Sequence, residues 1–596
     1  MSGLGAELTP VQFAAVASGY GDAGAIAALN EGQLAKRKTL VAMVGRDARG
    51  TEHAAAVAAA MDLLARAEKA DPAAVDAVLA HPHVDSWAMA CLHGLADLAG
   101  GRAPADLAAT VGHLAAIATA AALAAGVAFD IEVPTRFGAV GVPGLGEAVG
   151  LGDGPARAVG DAGGARFEGA HGAVVRVDGP GWRPRRVVAL AGGHALAIED
   201  QDPYRDCYGY RPLPYLGEAE ADHFAKLLHD AWLLIERDHP AHAVAMRAAL
   251  RSVVPVSHDG MMVSSASRHA YGSIAMSVPD TAADVALLMI HEHMHAKLGG
   301  LLDLMDLHSG GGRASLYAPW RLDPRPVGAL LQGVYAHAGV TDHWRRRRRA
   351  ADGDTARAEA QFVYWGEMNR LAAHSLIHSG ELTRAGEQFV TVLAGTLDGW
   401  ATEEVYEPIA FHARLFVLAQ TVRWRLLNWR PGDAEPGLLL DAVRAGRLTD
   451  RLTDRLTDWL GPSGEVPHAA PVRPVDAAGI LGVLRPWLDG QVEPAEAGGP
   501  SPDDAGAMLL RHDPDGAERA CLARLDRDGA DVDAWLGLAI ARAWIGHRER
   551  RPDPVAELLE RRPDVARAAV LELQPANPRH AASELVAGLV SLPGGS

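Results

Sequence analysis

The stretch ADVALLMIHEHMHAKLGGLLDL, from Ala283 to Leu304, places three histidines and one glutamate inside an otherwise apolar segment. It contains the pattern H-E-x-x-H, with His291 and His295 as the outer histidines and Glu292 next to the first. Residues four positions apart lie on the same face of a helix, one turn from each other. Two imidazoles in that arrangement can share one metal ion. We therefore predict a metal site on a helix, with hydrogen-bonded core histidines as the alternative.

The spacing of the apolar residues predicts how this helix is oriented. Steps of three and four place five side chains on one stripe, which we expect to face the core: Leu288, His291, His295, Leu298 and Leu302. His293 lies about 200° from His291 around the helix, since each residue turns the chain by about 100°. We therefore do not expect His293 to be a ligand.

A catalytic metal needs a third protein ligand and open coordination positions. His337 is the first choice, because it interrupts a second apolar helix-like stretch, ALLQGVYAHAGV. Glu367, in VYWGEMNRLAAH, is the next candidate. The remaining candidates downstream are His308, His343, His374 and His378.

A proline-rich loop, LYAPWRLDPRP, lies between these two stretches and carries Tyr317, Arg321 and Arg325. A guanidinium pairs with a carboxylate through two parallel hydrogen bonds. An arginine near a metal would therefore suit an acidic substrate or cosubstrate. The alternative is a surface ion pair with the neighbouring Asp323.

A serine-rich stretch precedes the apolar segment and contains Ser264, Ser265 and Ser267. These serines either line a peptide-binding edge or form turns without chemistry. No Gly-x-Ser-x-Gly pattern occurs in this stretch, so we do not expect a serine nucleophile.

The pattern along the chain predicts a mainly α protein with a smaller β-rich insert (α+β). We predict an N-terminal helical region (1–126), a β-rich segment (127–215) and a helical region carrying H-E-x-x-H (216–430). A linker-like segment (431–500) and a C-terminal region resembling tetratricopeptide hairpins (501–596) follow. Short β-branched runs broken by Gly and Pro indicate the strands, and steps of three and four indicate the helices.

Composition excludes several classes of function. With 49% hydrophobic residues and a net charge of −18, the chain is globular and acidic. An acidic surface argues against nucleic acid or an anionic membrane as partner. The three scattered cysteines predict a reducing cytoplasm. We expect the alanine-rich stretch LAAIATAAALAAGVAF to be a buried helix, and we see no signal peptide.

Several segments together resemble the HExxH-motif-containing peptide-modification proteins of bacterial ribosomal-peptide natural product pathways. They span residues from about 8 to 400: LTPVQFAAVASGYGDAGAIAAL, DPYRDCYGY, SSASRHAYGSIAMSVP, LLMIHEHMHAKLGGLLDL, LYAPWRLDPRPVGALLQGVYAHAGVTDHW and SGELTRAGEQFV. The H-E-x-x-H string is generic. Its combination with the Pro-Trp-Arg and Tyr-Ala-His segments is more specific.

This resemblance implies an Fe(II)- and 2-oxoglutarate-dependent β-hydroxylase that uses O2 and acts on a precursor peptide. His291 and His295 would bind the iron, and His337 is our own inference for the third ligand. Arg321 would hold the 2-oxoglutarate carboxylate, with Arg325 or Tyr317 in reserve. Glu292 and Arg321 are the candidate catalytic residues.

Two other functions remain open from the sequence. In a zinc metallopeptidase of the HExxH type, Glu292 would be the general base that activates water, which explains the glutamate directly. A noncatalytic helical scaffold would bind peptides through its C-terminal region. The oligomeric state is open in all three cases.

Overall fold

The computed structural model describes residues 8–102, 104–161, 163–257, 262–309, 312, 315–350, 354–446, 479–493 and 504–591. The chain divides into two compact units, Met1–Met305 and Asp306–Ser596. The boundary between them falls inside the predicted region 216–430. Residues 447–478 and 494–500 of the predicted linker-like segment lie outside the described residues.

The first unit begins with helices and continues with short strands. Its helices before the strands are α1 (Pro10–Ala17), α2 (Ala23–Asp47), α3 (Ala54–Ala70), α4 (Pro72–Leu79), α5 (His83–Ala99), α6 (Leu107–Gly112) and α7 (Leu114–Ala124). The strands that follow are β1 (Phe129–Val133), β2 (Val140–Val142), β3 (Gly146–Ala148), β4 (Ala156–Asp161), β5 (Gly164–Glu168), β6 (Val174–Arg176), β7 (Trp182–Pro184), β8 (Arg186–Ala189) and β9 (Ala195–Ile198).

The rest of the first unit builds a mixed sheet with helices beside it. Its elements are α8 (Glu218–Asp238), α9 (Pro240–Ala249), β10 (Ser252–Pro255), β11 (Ser264–Ala266), β12 (Ser273–Met276) and α10 (Ala282–Leu302). The five strands of this sheet have the order β11-β12-β10-β9-β8, with β10 parallel to both of its neighbours and β11 antiparallel to β12. Two smaller sheets have the orders β1-β4-β5-β6 and β2-β3-β7.

The second unit is helical in its described part. Its first helices are α11 (Val327–Arg347), α12 (Thr355–Ile377), α13 (Arg384–Ala401), α14 (Glu407–Asn428) and α15 (Glu435–Ala445). The later helices are Ile480–Val483, Ala505–Leu510, Pro514–Leu525, Val532–Glu549, Pro554–Arg561, Pro563–Leu573 and Ala581–Val590. Apolar residues of these later helices share one core with α12, α14 and α15. The predicted fold class, mainly α with a smaller β-rich part, is confirmed.

One stretch of the described chain, Leu107–Ala124, is long and apolar enough to cross a membrane. It comprises α6 and α7, and 72% of it is buried inside the protein. The prediction of a buried helix is therefore confirmed for α7.

Candidate functional site

The H-E-x-x-H residues lie on α10, which starts from a side-chain cap. The hydroxyl of Thr281 accepts a hydrogen bond of 3.1 Å from the backbone N–H of Asp284. This bond satisfies one of the N–H groups that the first turn of a helix leaves unpaired. The N-terminal half of α10 shares a core with the mixed sheet through Val285, Met289 and Ile290. The sheet therefore fixes how far α10 can rotate, and with it the direction of the histidines.

His291 and His295 lie one turn apart on α10, as predicted. Their ring centroids are 4.9 Å apart and the ring planes are nearly perpendicular, at 85°. Both rings are half-buried, and the His291 side chain is 19% exposed. Two neighbouring imidazoles that keep access to solvent suit a shared metal ion better than a sealed core would.

The prediction that the stripe with His291 and His295 faces the core is wrong for its N-terminal part. Leu288, His291 and His295 lie on the partly exposed side of α10, whereas Glu292 and His293 are buried. The reason is that α10 is apolar on nearly its whole circumference, so periodicity alone does not distinguish the side that packs on the sheet. A stripe of side chains that bound a metal ion would need access to solvent.

Glu292 is held in the interior by the edge of the mixed sheet. Its carboxylate is 3% exposed and accepts a hydrogen bond of 2.6 Å from the hydroxyl of Ser264 on β11. The same oxygen lies 3.9 Å from Nε2 of His291. Burial raises the pKa of Glu292 above its ordinary value. The glutamate is thus fixed next to a nitrogen that would bind the metal.

Strand β11 is an edge strand beside α10. Among the described residues it pairs only with β12, through Ser264, Ser265 and Ala266. All three residues are half-buried. An edge strand can pair with an added peptide strand, and on β11 the backbone N–H of Ala266 is already bound to the Glu292 carboxylate.

A buried lysine anchors the other side of α10. The ammonium group of Lys297 donates hydrogen bonds of 2.6 Å to the backbone carbonyls of Gly19 and Tyr20. Lys297 is fully buried, and burial lowers its pKa to about 7. His293 lies one turn earlier and is 2% exposed, and burial lowers its pKa well below the ordinary value. Lys297 therefore anchors α10 to the backbone at Gly19 and Tyr20.

The second unit contains the remaining predicted site residues. His337 on α11 is stacked between Trp320 and Trp365, with ring centroids 4.1 Å and 4.8 Å away. Its Nδ1 lies 2.8 Å from the carbonyl oxygen of Gly333. A carbonyl can only accept, so Nδ1 carries the proton and Nε2 holds the lone pair. This is the tautomer in which a histidine binds a metal through Nε2.

Arg321 and Arg325 share one carboxylate in the second unit. Nε of Arg321 donates to Asp323 at 2.8 Å, and Nη1 of Arg325 donates to the other oxygen at 3.1 Å. The Arg321 side chain is 50% exposed. The ion pair expected as the alternative is therefore present. Exposed pairs of this kind contribute only about 0–1 kcal/mol, so a better carboxylate could replace Asp323.

Tyr317 has a different environment. Its ring packs against Trp424, with centroids 4.9 Å apart, and its hydroxyl lies 3.4 Å from that of Thr421. Burial raises the pKa of Tyr317 above its ordinary value. These contacts favour a packing role for Tyr317 over binding of the cosubstrate.

The other candidates for the third ligand differ in what already surrounds them. Glu367 accepts a hydrogen bond of 3.2 Å from Arg370 and lies 3.6 Å from Arg414. His374 and His378 are exposed on α12 and just after it, and His343 is buried. Two guanidiniums therefore already surround the Glu367 carboxylate.

Sequence reasoning missed one group of side chains in the first unit. His81, His83 and Asp202 are buried and offer ligand atoms within 4.8 Å of one another. The spacing His-x-His at positions 81 and 83 is a signal that could have drawn attention to it. Asp202 lies too far away in sequence to be connected to that signal.

Comparison with known proteins assigns no family to this chain. No protein-family model matches it, and no curated protein matches its sequence. The resemblance to the peptide-modification proteins therefore stays a prediction that depends on the quoted segments.

Proposed function

We propose that this chain is an Fe(II)- and 2-oxoglutarate-dependent hydroxylase that installs a β-hydroxyl group on a side chain of a ribosomally made precursor peptide. The observation that carries the proposal is the pair of half-buried imidazoles of His291 and His295, 4.9 Å apart on α10 beside the edge strand β11. The family resemblance supplies the reaction. The geometry of the first unit supports a metal-binding group next to a peptide-binding edge.

The donor atoms suit a divalent iron ion. His291 and His295 would provide two nitrogens, and His337 is proposed as the third because its Nδ1–H is already engaged by Gly333. Three protein ligands leave open positions, as an oxygenase requires. When bound, iron would activate O2 with 2-oxoglutarate as co-reductant, so that peptide, O2 and 2-oxoglutarate give hydroxylated peptide, succinate and CO2.

The peptide would bind as an added strand on β11. Its backbone would pair with the half-buried strand Ser264–Ala266, and its side chains would alternate between the two faces of the sheet. β11 contacts α10 directly through the bond from Ser264 to Glu292. A peptide on this edge would therefore be held beside the histidine stripe.

Arg321 would hold the distal carboxylate of 2-oxoglutarate. Its pairing with Asp323 is exposed and weak, so exchange for the cosubstrate would cost little free energy. A guanidinium binds a carboxylate through two parallel hydrogen bonds. Arg325 shares Asp323 and is the reserve for this role.

A zinc metallopeptidase is the second candidate, favoured by the position of Glu292. Its carboxylate lies 3.9 Å from Nε2 of His291, where a general base for metal-bound water would stand. Against it, Glu292 is 3% exposed and already bonded to Ser264. In the hydroxylase, Glu292 would instead lie beside the metal-binding nitrogen of His291, with its carboxylate held by Ser264.

The test starts from protein purified without oxygen, loaded with either Fe(II) or Zn(II). It is given 2-oxoglutarate, O2 and the precursor peptide encoded beside the gene. We expect succinate formation and a peptide mass increase of about 16 Da, one oxygen atom, with iron only. Cleavage of the peptide with zinc would instead support the peptidase. If neither product forms, binding of the peptide would be the remaining function, as in the scaffold.

Histidine variants make this test specific. His291→Ala and His295→Ala should each abolish succinate formation and lower the bound iron by one equivalent. His223→Ala is the matched control, because this histidine is exposed on α8 and has no proposed role in the site. Full iron content in both H291A and H295A would refute the assignment.

We also propose a cytoplasmic location. All three cysteines, Cys91, Cys207 and Cys521, are free, and two of them are buried. Free thiols agree with a reducing compartment. Fractionation of the producing cells tests this, and recovery outside the cytoplasm would contradict it.

A further inference from the structure

We propose that His81, His83 and Asp202 bind a divalent transition-metal ion at a site of their own in the first unit. This inference does not depend on the proposed function. His81 and His83 flank Pro82 in the turn between α4 and α5, and α5 begins at His83. Asp202 follows β9 by four residues. The short turn and the strand end bring the three side chains together.

The potential ligand atoms converge without bonding to each other. Nδ1 of His81 lies 3.6 Å, and Nδ1 of His83 lies 4.0 Å, from Oδ2 of Asp202. Both distances exceed those of a protein hydrogen bond. Neither Nδ1 atom has a hydrogen-bond partner among the described residues. The exposed fractions of the three residues are only 6%, 1% and 7%. Buried polar atoms of this kind ordinarily have a partner.

The outer nitrogens of both histidines are already engaged. Nε2 of His81 lies 3.3 Å from a carboxylate oxygen of Glu199, and Nε2 of His83 lies 3.0 Å from the hydroxyl of Tyr208. A carboxylate can only accept, so His81 donates from Nε2 and holds its lone pair on Nδ1. A metal-binding histidine typically donates its other N–H to a carboxylate or a similar acceptor.

The direction of the Asp202 carboxylate completes this argument. Its Oδ1 accepts a hydrogen bond of 2.8 Å from the backbone N–H of Tyr204, which turns Oδ2 toward the histidines. Lone pairs on Oδ2 and on Nδ1 of His81 therefore face each other. Facing lone pairs repel unless a cation or a proton lies between them. Because Glu199 is also buried beside His81, a divalent cation would neutralise two carboxylates at once.

The donor set and the spacing select the kind of metal. Two imidazoles and one carboxylate suit zinc, iron(II) or cobalt(II), whereas magnesium and calcium prefer oxygen ligands alone. In a tetrahedral site with metal–ligand bonds of about 2.0–2.1 Å, neighbouring ligand atoms are about 3.3 Å apart. The observed 3.6 Å and 4.0 Å would need only small side-chain shifts to reach this spacing. His81 also lines a cavity of about 410 Å³.

The test uses the full chain carrying both H291A and H295A, which removes the ligands on α10. Titration with Co(II) should show one equivalent bound, with the visible absorption of a site that has nitrogen ligands. Asp202→Asn in this background should weaken binding by at least about 100-fold, and Glu199→Gln should weaken it by about 10–100-fold. Asp200→Asn is the matched control. Asp200 is an equally buried neighbour, and its carboxylate accepts from Leu216 instead.

Two results would overturn the proposal. One is less than about 0.2 equivalents of Co(II) in the H291A/H295A protein, and the other is D202N binding within about threefold of its parent. Anomalous diffraction at the zinc edge from crystals of the H291A/H295A protein decides the matter independently of how D202N folds. A peak between His81, His83 and Asp202 supports the site. A bound zinc ion elsewhere, or none, rejects it.

Discussion

Ser264 donates a 2.6 Å hydrogen bond to the buried carboxylate of Glu292, and this bond joins the edge strand of the mixed sheet to the H-E-x-x-H helix. The contact relates a proposed peptide-binding edge to a proposed metal site within one unit. A carboxylate that is 3% exposed depends on such a partner. The serine therefore has a structural and a positioning role at the same time.

Replacing Ser264 by Ala should lower both stability and turnover. Loss of one partner from a buried acceptor costs about 1–3 kcal/mol of the free energy of unfolding. Urea denaturation measures this loss, and the succinate assay measures turnover at equal iron content. Ser265→Ala is the matched control, because among the described residues its hydroxyl makes a single contact, of 3.4 Å with the carbonyl of Ala266. Equal stability of the two variants would contradict the role of Ser264.

The helix that carries H-E-x-x-H was predictable because its residues are close in sequence. The pair His291 and His295, one turn apart, needed only the period of a helix. The packed side of α10 was not predictable, since residues on both sides are apolar. The cluster of His81 and Asp202 was not predictable either, because β9 and the turn between α4 and α5 meet only in the folded chain.

Local charge patterns in the sequence were also insufficient to predict which arginines are buried in ion pairs. Five consecutive arginines, 345–349, would be expected from the sequence alone to form a solvated basic face, yet Arg345 is 7% exposed and binds both Asp342 and Glu403. Arg348 binds the same glutamate. Glu403 comes from a turn more than fifty residues later, so sequence proximity gave no sign of the network.

Gly333 lies under Trp320, and this contact allows a test of His337 as third ligand. A Cβ atom on Gly333 would come within 2.2 Å of the Trp320 ring, so Gly333→Ala must displace the ring that stacks on His337. We expect a loss of about 1–3 kcal/mol in the free energy of unfolding, as overpacking typically causes. We also expect iron affinity to fall by about 10–100-fold, because the ring that orients a ligand is lost.

The control for this substitution is Gly395→Ala on α13, where an added Cβ meets nothing within 4 Å. Alanine there should leave iron affinity unchanged and should stabilise the helix by up to about 1 kcal/mol. Calorimetric titration with Fe(II) under nitrogen measures the affinities. If G333A lost stability but kept its iron affinity, His337 would not be a ligand.

Replacing Arg321 and replacing Asp323 should change the KM for 2-oxoglutarate in opposite directions. Arg321→Ala removes a charged hydrogen-bond donor worth about 1.5–3 kcal/mol, so the KM for 2-oxoglutarate should rise by about 10–100-fold. Asp323→Ala removes the competing carboxylate 2.8 Å from Arg321. Because that exposed pair is worth about 1 kcal/mol at most, KM should fall by up to about fivefold. Iron content should stay constant in both variants, and a KM unchanged in R321A would reject the clamp.

Acid should destabilise the first unit through its buried histidines, and His113 gives the sharpest test. Burial lowers the pKa of His113 to about 3, with smaller contributions from Arg136 and His81. Its ring lies 4.9 Å from that of Tyr204. Since the folded-state pKa is below the unfolded value of about 6.5, the unfolded chain binds more protons between pH 3 and 6.5. The stabilising contribution is therefore complete above pH 6.5 and is lost as the pH falls toward 3, at about 1.4 kcal/mol per pH unit for this one group.

Urea denaturation between pH 4 and 6 gives the slope of the free energy of unfolding against pH. For His113→Gln this slope should be smaller, by the equivalent of one proton, than for the unsubstituted chain. Parallel slopes for the two proteins would show that His113 is protonated equally in both states, against the burial that the structure gives it.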